Sequence, residues 1–596
     1  MSGDAAGEPS DASDITRFMF RTVGWRALTG QTATLRGVLD RLKRYSLSQI
    51  VGMVSRTTLA LSLEDPTGSD GDELRTRQMR ILSRFLGKHN ANQLAARAGM
   101  RLSPSSGPER WVIFHERQTL NALKLAFLAI DLELGSVDRE RSTVPFIEAL
   151  LMINDLMDAH LEGLDFSTDA GLSQLELYAA ANVIFNEGSH MLRDYVRAHH
   201  LFIEPRPEVA FKGAVDVPSA LARATGLSAD TTWHALMAIL SKWLTLAWKD
   251  IDAGDIWQHR ALWLDRRASL TEEERERWLA LACIDAADLQ LQIREGCSLD
   301  DPRYFDVLSF EKHPVVAFGD TLYCVSLPLL RRLPGSSLQH RFLDTSIFNP
   351  RETRAFLDTR GHLVERYSDD LLARAFGDRF VSERKMQECV GEEQSVCDGM
   401  IVYPDAVILL EFKTSTPLLN TRHATDYAGY RKKLRNAVRK AADQFVSTNS
   451  LLRSDDFAKL GVRSSAIKRI YTAVGIFEQV ITQFTYRAII RDDLADHPLM
   501  ALVQGGQVAP IQFLHIAELE AWELAAPAGR SVLELLHSKT SNPRFAEMPF
   551  FHFLQVIGAT FQDEHGPWYE ARFNANTAAG VAFYESLGYS IDDPGR

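Results

Sequence analysis

Residues 396–415 read VCDGMIVYPDAVILLEFKTS, and the fold expected of this chain follows from how that stretch pairs with itself. Pro404 and Asp405 are turn residues, because Pro presets φ at the first central position and Asp tolerates the second. The run that follows, from Ala406 on, is apolar on both faces until Glu411, the pattern of a strand in the middle of a covered sheet. Glu411 and Lys413 stand two apart and so share one face of that strand. With Pro404-Asp405 as a two-residue turn, the residue opposite Glu411 is Asp398, since each lies six residues from its side of the turn. Cross-strand partners have Cβ atoms ~5 Å apart. Two carboxylates so placed repel unless something positive lies between them, and a divalent cation, which takes hard oxygen ligands, is the natural occupant.

Asp398, followed by Glu411-Phe412-Lys413 at the end of a buried strand, resembles the core of the PD-(D/E)xK, or restriction-endonuclease-like, nucleases. The resemblance implies Asp398 and Glu411 as ligands of Mg²⁺, with Mn²⁺ able to substitute, and Lys413 beside the attacking water or the scissile phosphate. The literal Pro404-Asp405 pair is a decoy: at ~3.3 Å per residue the hairpin carries Asp405 about 20 Å from Glu411, too far to share an ion. The motif's Asp is therefore assigned to Asp398.

The surroundings keep the same order. A helix is expected over residues 352–376, with Phe356, Leu363, Tyr367, Leu371 and Leu372 on its apolar side and Glu365 within it. A strand over 379–385 and the hairpin follow. Many of the resembled nucleases carry a further metal-associated Glu on that first helix, and Glu365 is the matching position; the alternative is a solvated helix residue. Past Thr416-Pro417 a helix is expected over 424–446, with Tyr427, Tyr430, Leu434, Val438, Ala441 and Phe445 as its apolar stripe. Between Arg422 and Lys440 stand seven basic residues and one acidic residue, Asp426, a local balance of 7 − 1 = +6. Arg431, Arg435 and Arg439 recur every four residues and line one face. With Lys432 and Lys440 they form a candidate phosphate-binding surface, against the alternative of an ordinary solvated face. Gln444 matches the Gln that RecB-like members place on this helix, but their Tyr four residues later is Thr448 here. Strands are expected over 467–477 and 485–490, and helices over 516–524 and 530–536. The resemblance spans roughly residues 300–540 and implies an α/β catalytic domain, a mixed sheet flanked by helices.

The rest of the chain sets bounds. At 596 residues it has the length of roughly four domains, and with 45% hydrophobic and 24% charged residues it is ordinary globular material. A net charge of -12 requires a nucleic-acid enzyme to concentrate its basic residues locally. The five cysteines form no CxxC pair and no zinc spacing, which fits a reducing, cytoplasmic setting. No apolar run reaches the ~18 residues of a membrane span. Residues 1–14 are polar and acidic and read as a disordered leader. Residues 15–299 read as a large, mostly helical region of one or two subdomains, with segments such as 120–134 and 231–249 at helical spacing. Thr271 and Glu274 form a helix start. In this half Glu187-x-x-His190 has the spacing of a carboxylate-bridged metal site, yet it is a single copy and reads as a polar helix face. His199-His200 reads as a surface pair at a helix end. Around residue 300 the texture changes to short strands at 307–310, 314–318 and 321–327, with Gly319-Asp320 as a turn.

Within the C-terminal appendage, 541–596, residues 576–589 resemble the closing helix and strand of GNAT acetyltransferases, but Tyr584 stands eight after Asn576 where the family spacing is seven. The expectation is a Mg²⁺-dependent nuclease, an endonuclease of DNA serving in defence against phage or plasmids. The helical region would engage a protein partner, the target or a second copy of the chain, and no membrane. A catalytically idle module of the same fold that binds nucleic acid or a partner is the alternative, and an acetyltransferase is the third option.

Overall fold

The computed structural model describes residues 21–62, 73–97, 111–132, 142–159, 191–206, 211–246, 257–260, 270–304, 306–343, 347–414, 427–477, 483–559 and 565–587. The leader at 1–14 and the Glu187-x-x-His190 segment lie outside these residues. The chain is mixed α/β and folds as two compact units. Among the described residues no helix is long and apolar enough to cross a membrane.

One unit comprises Met1–Leu164, Ala238–Arg266 and Leu279–Leu330. Its helices Leu47–Ser62, Glu116–Ala129 and Val144–Asp158 supply most of its core. The first of them packs on a four-stranded sheet in the order Trp257–His259, Thr321–Cys324, Val315–Phe318, Cys283–Asp285. The expected Gly319-Asp320 turn joins Phe318 to its partner Thr321, with Gly319 at φ +56°, a conformation that glycine adopts without strain. The expected strand at 307–310 is instead the short helix Leu308–Lys312: an apolar run this short has no period of its own to choose by.

The other unit comprises Asp165–Met237, Arg267–Trp278 and Arg331–Arg596. In chain order the elements that frame its sheet and polar core include α1 (Met191–Phe202), α2 (Pro350–Phe376), β1 (Phe380–Ser382), α3 (Glu383–Val390), β2 (Gly399–Val402), β3 (Ala406–Lys413), α4 (Tyr427–Arg453), β4 (Arg469–Ile476), β5 (Gln512–His515), α5 (Ile516–Ala525), α6 (Val532–Thr540) and α7 (Pro567–Ser586). The sheet runs β5-β4-β3-β2-β1. The three strands β3, β4 and β5 are parallel, whereas β2 and β1 are antiparallel to their neighbours.

The sequence dictates each piece locally. Asn349 accepts from the amides of Arg351 and Glu352 while Glu352 reaches back to the Asn349 amide, a capping box that starts α2, with Pro350 at its first position. Thr271 and Glu274 exchange the same pair of bonds. On the α4 side of the sheet, Val407 and Leu409 pack with Leu434, Val438, Ala441 and Phe445. The alternate residues of β3 face α2 and α5: a Cβ built on Gly475 would sit 2.6 Å from the Phe412 ring and 2.8 Å from Leu519, so only glycine fits there. With helices on both faces, β3 is buried along nearly its whole length, as its unbroken apolar run requires.

Two expected strands come out differently. The strand at 379–385 stops at Ser382, and helix α3 takes over. Residues 485–490 form no strand: Gln483–Ala488 is α-helical and Ile489–Asp493 a single π-turn. Period 2 and period 3.6 coincide over six residues, and packing against α4 selects the helix.

The pair His199-His200 also departs from expectation. His200, in the last turn of α1, is buried, with Nδ1 2.8 Å from Glu204 Oε2 and Nε2 2.6 Å from an Arg206 nitrogen. Deeper in the same unit Arg197 pairs with Glu520, whose carboxylate also accepts from the Tyr367 hydroxyl at 2.6 Å. Tyr367 and Tyr569 hydroxyls lie 2.7 Å apart, so α1, α2, α5 and α7 meet at one buried polar node. A long helix face can hold polar residues inward when partners from other elements satisfy them.

Candidate metal and phosphodiester site

The hairpin register places the site. Gly399 pairs with Leu410, Met400 with Leu409, Ile401 with Ile408 and Val402 with Val407, while the Tyr403 amide bonds the Ala406 carbonyl at 2.9 Å across Pro404-Asp405. Extending this register one step sets Asp398 opposite Glu411, as the turn chemistry requires. Asp398 precedes β2 and Glu411 ends the apolar run of β3. The Asp398 amide donates to Glu411 Oε2 at 3.2 Å, and the Phe412 amide donates to Asp398 Oδ2 at 2.5 Å. The two carboxylates are thus locked to each other's backbone.

Lys413 bonds Glu411 Oε1 and, at 3.2 Å, the side-chain oxygen of Gln444 on α4. Gln444 in turn donates to the Val396 carbonyl at 3.2 Å. Asp398, Glu411, Lys413 and Gln444 therefore form one connected group, at the end of β3 where the sheet meets α4. Asp405 lies at the far tip of the hairpin, half exposed, with Lys468 3.5 Å from its carboxylate.

Electrostatics marks the same place. Burial, then the negative charge of Glu411, pushes the Asp398 carboxyl well above the usual carboxylate range, against the pull of the Phe412 amide and Lys413. Burial pushes Glu411, only 1% exposed, up to about 7 even though Lys413 opposes it. Two further carboxylates belong to this neighbourhood that sequence reasoning missed. Glu383, the first residue of α3, gives its amide to the Asp398 carbonyl at 2.9 Å, and burial followed by the charge of Glu365 raises its carboxyl. Burial raises Asp369 on α2 to about 7 against the opposing charge of Arg366, and Glu365 and Glu383 add to the rise. No sequence signal points to Glu383, because it lies inside what reads as a strand. Asp369, four after Glu365 and so on the same face of α2, is open to that inference.

Glu365 itself is half exposed and contacts His362, whose Nδ1 is 3.1 Å from its carboxylate. It acts on Asp398 through charge, as the last and smallest of the influences there. Glu365→Gln is therefore expected to lower Mg²⁺-dependent cleavage only modestly, about two- to tenfold, by changing the field around the buried pair. Initial rates across a Mg²⁺ titration check this, and superimposable curves would return Glu365 to the solvated face.

The basic face of α4 is more mixed than its sequence. Lys432, Arg435 and Lys440 are exposed, but Arg439 is half-buried and bonds Asp496 at 2.8 Å. Arg439, with help from Arg435, holds the Asp496 carboxyl below its ordinary range. The side chain of Arg431 lies outside the described residues. Replacing Arg431, Arg435 and Arg439 together by Gln is expected to weaken nucleic-acid binding at low salt. Removing one cation–phosphate pairing flattens log affinity against log salt by ~0.9 unit on duplex DNA. With Arg439 engaged by Asp496, the expected change is about one to two units rather than three. Titrations at several salt concentrations check it, and an unchanged slope would make this face ordinary solvated surface.

Among the described residues no group of three or more His, Cys, Asp or Glu side chains is arranged to hold a metal ion. The donor set at Asp398 and Glu411 is nonetheless the one Mg²⁺ accepts: one or two carboxylates, with water and phosphate oxygens filling the remaining positions. No protein-family model and no curated protein matches this chain. In the C-terminal segment, α7 is one continuous helix through Asn576 and Tyr584, and the Tyr584 hydroxyl donates to the His234 carbonyl at 2.6 Å.

Proposed function

We propose that this protein is a Mg²⁺-dependent nuclease that hydrolyses phosphodiester bonds in DNA, its catalytic part a restriction-endonuclease-like core. The observation that carries the reading is the buried Asp398–Glu411 pair with Lys413 against it at the end of β3. Two carboxylates enclosed together, both pushed toward protonation, are a costly arrangement for a scaffold alone. The order helix, strand, short helix α3, antiparallel strand, buried strand, helix, with Glu365 on the first helix and Gln444 on the last, also supports it.

Asp398 and Glu411 would hold the cation, which when bound polarises the phosphate and eases formation of hydroxide from water. The chain's own groups do the rest. Lys413 is held between Glu411 and Gln444, so its ammonium has little freedom and keeps a proton free to donate to a water or a phosphate oxygen. Gln444 anchors that amine to the backbone before Asp398. Lys432, Arg435 and Lys440 would draw the phosphate backbone along α4.

Purified protein incubated with supercoiled plasmid and with single-stranded DNA, in Mg²⁺ or in chelator, tests the reading. Cleavage in Mg²⁺ that stops in chelator and in Asp398→Ala is expected. Cleavage that persists in chelator sinks it, and DNA binding without cleavage in Mg²⁺ or Mn²⁺ leaves a binding scaffold.

A further inference from the structure

Asp398 must face Glu411, yet it precedes β2 and has no strand ladder of its own to aim it. The segment leading to it is tied instead to side chains of one helix. Ser447 of α4 donates to the Ser395 carbonyl at 2.6 Å, Gln444 donates to the Val396 carbonyl at 3.2 Å, and Thr448 Oγ1 accepts from the Cys397 amide at 2.9 Å. On the far side, the Glu383 amide holds the Asp398 carbonyl at 2.9 Å. Two consecutive peptide units, 395–396 and 396–397, are thereby fixed before Asp398, the second at both its carbonyl and its amide. The bonds are not equivalent. Thr448 and Cys397 are both 0% exposed, so the Cys397 amide has no water to turn to, whereas Ser447 lies where water can replace it. The Cys397 thiol donates to the Gly399 carbonyl at 3.2 Å inside the same turn.

We propose that Thr448 is a positioning residue for the metal site: by fixing the buried Cys397 amide it sets the direction in which Asp398 presents its carboxylate to Glu411. The inference rests on the reading of Asp398 and Glu411 as cation ligands and adds to it a group that touches neither metal nor substrate. Outer-shell groups of this kind are typically worth about 10–100-fold in metal affinity, because a ligand pointing elsewhere must first be reoriented. A Thr that merely satisfied a buried amide would affect folding stability and leave affinity alone.

The test is Mn²⁺ binding, by calorimetry or by the loss of the free-ion EPR signal, in full-length Thr448→Val, Thr448→Ser, Thr448→Ala and Ser447→Ala, with thermal unfolding measured beside it. Thr448→Val keeps shape and removes the acceptor, and its Kd for Mn²⁺ is expected to rise about tenfold or more. Thr448→Ser keeps the acceptor and is expected within about threefold of the parent. Unchanged Mn²⁺ affinity in a folded Thr448→Val, whatever its melting temperature, overturns the inference, as does a Ser variant as weak as the Val one. If Thr448→Val does not fold, Thr448→Ala decides: a loss of about tenfold supports the clamp and parent affinity overturns it, while Ser447→Ala, whose bond water can replace, is the control expected near the parent value. A parent protein that binds no Mn²⁺ removes the metal reading itself and this inference with it, a result visible before any variant is made.

Discussion

Asp398→Ala and Glu411→Ala are each expected to abolish the Mg²⁺-dependent cleavage of plasmid DNA proposed for this protein, with the fold retained. Each substitution removes one of the two oxygen donors that would hold the ion at the end of β3. Losing a single preorganised group that stabilises developing charge typically costs ~10²–10³ in rate. Losing a metal ligand removes both that stabilisation and the ion's hold, so the loss is expected to be on the order of 10³-fold or more. The fold is expected to survive because relief of the burial and charge penalty on the pair offsets the lost bonds to the Phe412 amide or to the Asp398 amide and Lys413. The backbone bonds that shape the turn at Cys397 and Ser395 do not involve either carboxylate. Asp405→Ala is the control. Its exposed pairing with Lys468 is a surface ion pair, and such pairs contribute about 0–1 kcal/mol. Full cleavage by Asp398→Ala, measured as initial rate against circular dichroism of the same preparation, would remove the hairpin from the site.

Metal-free protein is expected to lose stability as pH rises from about 4.5 to about 7, and Mg²⁺ to restore it at the upper end of that range. Glu411 has its ordinary value near 4.5 in the unfolded chain and about 7 in the fold, and Asp398 moves in the same direction. A carboxyl raised on folding binds its proton more tightly in the folded state. Its stabilising contribution is therefore whole below pH 4.5 and lost as pH climbs through 7. For Glu411 the loss is on the order of 3 kcal/mol. Other groups titrate over the same range, so the informative quantity is the difference between the parent and Glu411→Gln, whose amide cannot ionise. Urea unfolding in chelator at pH 5 and pH 8 is expected to show a clearly steeper decline for the parent. Added Mg²⁺ should stabilise the parent at pH 8, little at pH 5, and Glu411→Gln at neither. Parallel pH dependences in the two proteins would show that Glu411 is not held protonated by its surroundings.

How far the sequence alone determines this protein can be seen residue by residue. Pro404-Asp405 specifies a two-residue turn, and a two-residue turn leaves one register, so the meeting of Asp398 with Glu411 was legible. The unbroken apolar run before Glu411 specified a strand covered on both faces. The long periodic helices α2 and α4 were legible for the same reason: many turns of one period leave no second solution. The tertiary structure decided everything that depends on partners distant in the chain. It made the apolar run at 485–490 helical, because six residues carry no decisive period. It drew His200 inward to Glu204 and Arg206, where a His-His pair at a helix end read as surface. It engaged Arg439 with Asp496, 57 positions away, so that part of the basic stripe of α4 is neutralised. It also brought Glu383 beside the carboxylate pair and placed Thr448 on the Cys397 amide. A charge or a hydroxyl in a sequence states what it can bond, but which group it meets depends on how helices and sheet pack, and that packing is a property of the whole unit.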